Sequence, residues 1–159
     1  MKNYRFYTFT VSQVLGSIVL ILTLFCCHKK LLMEKITMPH IAFGSGGGFT
    51  GAVKQYHLLE DGQIVEEVKL KDSIEYKVVA EIGKRKAKDC FETVKKMQLD
   101  SLQFNQPSNR YYFISVPTKD TLVRNRIVWG DIEKPVAPEV QNFYKTLLGY
   151  LLKSDEVIK

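Results

Sequence analysis

Phe49-Thr50-Gly51-Ala52-Val53-Lys54-Gln55-Tyr56-His57-Leu58-Leu59-Glu60-Asp61-Gly62-Gln63-Ile64-Val65-Glu66-Glu67-Val68-Lys69-Leu70 is the stretch whose reading decides how this chain folds. Asp61-Gly62 is a strong hairpin-turn pair, and it sits between two runs rich in aromatic and β-branched residues. The spacing predicts one strand over Phe49–Leu59 and another over Gln63–Leu70. In the second, Ile64, Glu66, Val68 and Leu70 alternate with Val65, Glu67 and Lys69. Strands joined by a two-residue turn are antiparallel, so the sheet is expected to grow from this hairpin.

Upstream, Thr37–Phe43 has strand character, and Pro39 argues for an edge strand or an irregular start. Gly44-Ser45-Gly46-Gly47-Gly48 reads as a flexible connection. A hairpin folded about Gly46 would set His40 opposite Ala52 and away from His57. Downstream, Ser73–Ile82 supports two readings: a strand with Tyr76, Val78, Ala80 and Ile82 on one face, or the start of a longer helix interrupted by Gly83. From Lys84 the period is helical, with Ala87, Cys90, Phe91, Val94, Met97 and Gln98 on one stripe. A loop with Asn105, Pro107, Ser108 and Asn109 precedes a strand at Arg110–Val116, whose Tyr112, Ile114 and Val116 share a face. A turn at Thr118-Lys119-Asp120 leads to a strand at Leu122–Trp129. Val140, Phe143, Tyr144, Leu147, Leu148 and Leu151 then define a helix from Pro138 to Lys153, with Pro138 in its first turn. The expected fold is α+β: a mainly antiparallel sheet of five to six strands with two amphipathic helices packed on it, after an N-terminal segment of another kind.

That segment opens with Lys2 and Arg5, continues through 22 uncharged residues from Phe6 to Cys27, and ends before His28-Lys29-Lys30. Its densest apolar part, Val14–Phe25, has 12 residues, which suits a signal-peptide core and is short of the roughly 20 that a membrane span needs. Leu24-Phe25-Cys26-Cys27 resembles a loose bacterial lipobox. Cys27 is the expected lipidated residue because small Cys26 precedes it, with Cys26 as the alternative; Phe25 is bulkier than the pattern usually carries. An uncleaved single-pass anchor over Phe6–Cys27 is the competing reading. The expected organisation is a signal peptide at 1–26, a tether at 27–35, one α+β domain at 36–153 and a C-terminal tail at 154–159. The domain would then lie in the periplasm of a bacterial envelope, held to the membrane by its lipid.

Removing residues 1–26 from the 159 leaves 133, enough for one domain with its own core. The full chain carries +6; losing Lys2 and Arg5, with no acid in the segment, leaves +4. So small a surplus argues against a nucleic-acid binder. Cys90 alone remains in the folded part, so no disulfide staples it, and a buried small hydrophobe is its expected role. A monomer is expected.

No residue pattern supports catalysis, and no cofactor is implied. Phosphate-binding loops need a helix start after the glycines and a Lys-Ser or Lys-Thr, whereas Phe49-Thr50-Gly51-Ala52-Val53 follows here. The candidate binding loop is therefore Gly46, Gly47, Gly48 and Phe49, a recognition loop and not a nucleotide site. His28, His40 and His57 have no metal-ligand spacing, so no metal site is expected. No serine lies in a G-x-S-x-G context. Lys84, Arg85, Lys86 and Lys88 form the densest basic surface, suited to anionic lipid headgroups or polysaccharide.

Phe43-Gly44-Ser45-Gly46-Gly47-Gly48-Phe49-Thr50-Gly51, Tyr56–Gly62 and Trp129-Gly130-Asp131 resemble small uncharacterised bacterial lipoproteins with a glycine-rich loop, over most of residues 36–152. The resemblance brings no activity and no catalytic residue. The expected function is a membrane-tethered, non-enzymatic binding or interaction module. The alternatives are an assembly accessory of an envelope complex, and a hydrolase whose site a single sequence does not display.

Overall fold

The computed structural model describes residues 36–119 and 124–157, with side chains from 153 onward left aside. Contacts divide the chain into two compact units, Met1–Thr37 and Met38–Lys159. Of the first, only residues 36 and 37 are described, so Lys2, Arg5 and the lipobox cysteines lie outside the described residues. The fold below is that of the second unit.

Its strands are β1 (Ile41–Gly47), β2 (Val53–Leu58), β3 (Gln63–Lys69), β4 (Ile74–Glu81), β5 (Asn105–Gln106), β6 (Arg110–Pro117) and β7 (Arg124–Trp129); its helices are α1 (Lys84–Lys96) and α2 (Pro138–Val157). They form one seven-stranded sheet in the order β4-β3-β2-β1-β6-β7-β5. Every pairing is antiparallel except that of the two-residue β5 with β7. The α+β class and the mainly antiparallel sheet are as expected. Among the described residues the strand count is seven, because Ser73–Ile82 resolves into a strand and the loop at Asn105 contributes a short parallel one.

The Asp61-Gly62 turn forms where the sequence places it. Gly62 takes φ 95°, its N–H donates to the Leu59 carbonyl at 3.0 Å, and the Leu59 N–H donates to the Gln63 carbonyl at 2.9 Å. Both helices lie on one face of the sheet. Ile41, Phe43, Leu58, Ile64, Ile114 and Ile127 meet Ala87, Cys90, Val94, Val140, Phe143 and Leu147 there in one apolar cluster. This explains the helical stripes read from sequence: each is the side that loses water to the sheet, worth about 25 cal/mol per Å² of apolar surface. Tyr144 fixes α2 further. Its hydroxyl donates to the Gly44 carbonyl at 3.0 Å, and its ring meets Trp129 edge-on with centroids 5.2 Å apart.

Several expectations are corrected. β1 is central, flanked by β2 and β6, because Pro39 stands just before the strand and costs it no ladder bond. Gly44-Ser45-Gly46-Gly47 is not a flexible connection but the second half of β1; the turn occupies 48–52, and strand β2 begins only at Val53. The hairpin therefore pairs Ala42 with His57 and Gly46 with Val53, so His40 falls beside His57 and not opposite Ala52. In β4, the register jumps between Ile64–Ala80 and Val65–Val78. The bulge turns Ala80 into the core while Tyr76 goes to the opposite face against His57, so the four period-two residues do not share a face. Helix α2 also continues past Lys153 to Val157.

Candidate functional site

Three places on the domain bring chemistry together. The first is the sheet end where β1 finishes. The Gly48 N–H donates to the Asn109 carbonyl at 2.6 Å, and the Asp131 N–H donates to the Gln106 carbonyl at 3.2 Å. Gly130 lies so close to the Arg110 carbonyl and the Ser108 nitrogen that a Cβ there has no room. The β1–β2 turn, the β5–β6 loop and the loop after β7 are thus stitched together through backbone. From this end project Phe49, 108% exposed, and Ile132, 92% exposed.

Of the four candidate loop residues, Gly46 and Gly47 are strand residues, and only Gly48 and Phe49 belong to the turn. The glycines serve close approach. A Cβ on Gly44 would run into the backbone carbonyl of Lys54, and one on Gly46 would lie 2.5 Å from the Tyr111 hydroxyl oxygen. The run admits neighbouring strands and an aromatic ring, as glycines in sheets covered by aromatics do. After the glycines the chain passes through the turn at 48–52 into strand β2 and not into a helix.

The second place is a groove of about 610 Å³ alongside α1, at the opposite end of the sheet, where the chain enters β1. Pro39, Phe91, Val94 and Pro117 give it an apolar floor; Lys84, Lys88, Lys95 and Lys119 supply cations. Of the four residues of the basic run, Lys84 and Lys88 line the groove and Arg85 and Lys86 do not, because positions four apart share a helix face. Glu60, Glu92 and Asp100 also line it, and Lys88 Nζ sits 3.8 Å from Glu92 Oε1. That pair is exposed and therefore weak.

The third is a polar cluster on the sheet face away from α1 and α2, which sequence reasoning missed because the misplaced turn separated its histidines. The rings of His40 and His57 meet edge to face with centroids 4.8 Å apart. His57 Nε2 donates to Glu67 Oε2 at 3.1 Å, and Gln55 Nε2 donates to the same oxygen at 2.8 Å. His40 Nδ1 donates to the Met38 carbonyl at 2.9 Å. Arg124 Nη2 donates to the carbonyls of His40 and Ser115, both at 2.8 Å. Burial pushes both imidazoles down to about 4, with the Arg124 charge adding to the effect, so both are neutral at pH 7. His57 Nδ1 is buried without a hydrogen-bond partner among the described residues.

Ser115, the buried hydroxyl of this cluster, accepts from Arg124 Nε at 3.3 Å. Among the described residues no group of three His, Cys, Asp or Glu side chains is placed to hold a metal, and no helix is long and apolar enough to cross a membrane. Cys90 lies on the buried face of α1, and burial raises its thiol, which keeps it protonated. Neither protein-family models nor curated proteins gave a match to this chain.

Proposed function

We propose that this chain is a non-enzymatic interaction module of a bacterial envelope, lipid-anchored through Cys27, whose loop end carrying Phe49 and Ile132 docks on another envelope protein. One observation carries the reading. Two large apolar side chains stand fully exposed on neighbouring loops that backbone hydrogen bonds hold together. Burying such a side chain is worth about 1.5–3 kcal/mol, so leaving two in water on an ordered edge suits a surface that is covered when a partner binds. Their support is rigid, which lowers the ordering cost of association. The N-terminal segment supplies the tether.

The test is site-specific photo-crosslinking in cells, with a phenylalanine-like crosslinker at position 49, at position 132 and, as a control, at exposed position 145 on α2. The reading expects one adduct of the same mass from 49 and 132 and none from 145. Adducts from all three positions, or from none, would remove this end as the docking face.

A further inference from the structure

We propose that the groove beside α1 seats the headgroups of anionic phospholipids, so that the domain lies against the membrane by its tether end and presents Phe49 and Ile132 outward. The inference rests on the tethered reading above for proximity, and on the groove itself for chemistry.

The groove's place is the first argument. Pro39, the second residue of the folded unit, lines it, and eleven residues separate Pro39 from Cys27. Fully extended, that stretch spans at most about 40 Å, so an anchored chain holds the groove within reach of the headgroups. Charge is the second. Helix α1 carries Lys84, Arg85, Lys86, Lys88, Lys95 and Lys96 against Asp89 and Glu92, and has no acid in its first turn. The groove takes Lys84, Lys88 and Lys95 from that helix and adds Lys119 from the segment after β6. Four lysines line it against three carboxyls, Glu60, Glu92 and Asp100, and the exposed Lys88–Glu92 contact engages one of each. Shape is the third. Phe91 and Val94 place apolar surface below flexible lysine stems, so ammonium groups can reach phosphate while the floor meets the glycerol and upper acyl region.

The experiment uses the full mature chain reconstituted in nanodiscs, either of phosphatidylglycerol or of phosphatidylcholine, each containing acyl-brominated lipid. Mass spectrometry of Cys27 beforehand reports the anchor separately. Phe91→Trp provides the probe, and buried Trp129 gives a constant background. Bromine quenching of the probe is expected in phosphatidylglycerol and not in phosphatidylcholine, and is expected to fall as salt is raised. It should be lost in Lys84→Glu/Lys88→Glu, kept in Lys84→Arg/Lys88→Arg, and kept in Arg85→Glu/Lys86→Glu, whose side chains lie off the groove. Equal quenching in both lipids, none in either, or equal loss in the two glutamate pairs would overturn the assignment. An unlipidated Cys27 with lipid-selective quenching intact would sink the anchor while leaving the groove standing.

Discussion

His40 and His57 touch edge to face, 4.8 Å between ring centroids, although His40 stands before β1 and His57 near the end of β2. The contact exists because the β1–β2 turn is centred beyond Gly48 and not at Gly46. It places two neutral imidazoles beside the Arg124 guanidinium, with Glu67 as the carboxyl that accepts from His57.

Acid should therefore unfold this domain earlier than its carboxyl groups alone require. Both histidines fall to about 4 in the folded state from 6.5 unfolded. As pH drops below 6.5 the unfolded chain takes up protons first. The stability these groups contribute is complete above that pH and is lost as pH falls from 6.5 to 4. The loss amounts to up to about 2 kcal/mol per histidine by pH 5. Urea unfolding at pH 7.5 and pH 5.5 measures it. His40→Gln/His57→Gln should flatten the difference, and an unchanged slope in that variant would show that the histidines do not set it.

The glycine run should divide by position. Gly44→Ala drives a Cβ into the Lys54 carbonyl in the middle of the β1–β2 ladder, where neither strand can yield, so a loss of several kcal/mol is expected. Gly48→Ala meets open space and costs only its φ of 75°, about 1–2 kcal/mol. Thermal melts of the two variants should differ clearly; matching losses would contradict the close approach at Gly44.

Leu147 is fully buried between α2 and the sheet, whereas Lys145 is exposed on the same helix. Leu147→Ala should cost about 2–5 kcal/mol and Lys145→Ala less than about 0.5 kcal/mol. Similar small shifts in the unfolding midpoint would mean that α2 is not docked as described.

Lipidation is tested directly. Metabolic labelling with a fatty-acid analogue should mark the wild-type chain and not Cys27→Ala. The purified protein should begin at Cys27 by mass spectrometry. Persistent labelling of Cys27→Ala would move the modification to Cys26, and an intact N-terminus would favour an uncleaved anchor.

The sequence by itself determined the elements whose signals are local. Asp61-Gly62 fixed a hairpin because few other residue pairs take that turn cheaply, and the apolar stripes of α1 and α2 fixed which side each helix buries. It presented Lys84, Arg85, Lys86 and Lys88 as one basic surface, and only the structure divided them, placing Lys84 and Lys88 on the groove because positions four apart share a helix face. Tertiary structure decided what depends on partners distant in the chain. Glycines carry no side-chain pattern, so residues 44–48 read as loop, and only the neighbouring Lys54 backbone and Tyr111 ring show residues 44–47 to be strand. That register moved His57 beside His40 and created the polar cluster with Gln55, Glu67 and Arg124. The bulge in β4 opposite Ile64 and Val65 put Tyr76 and Ala80 on opposite faces for the same reason: a period of two places residues on a face only while the ladder keeps its register.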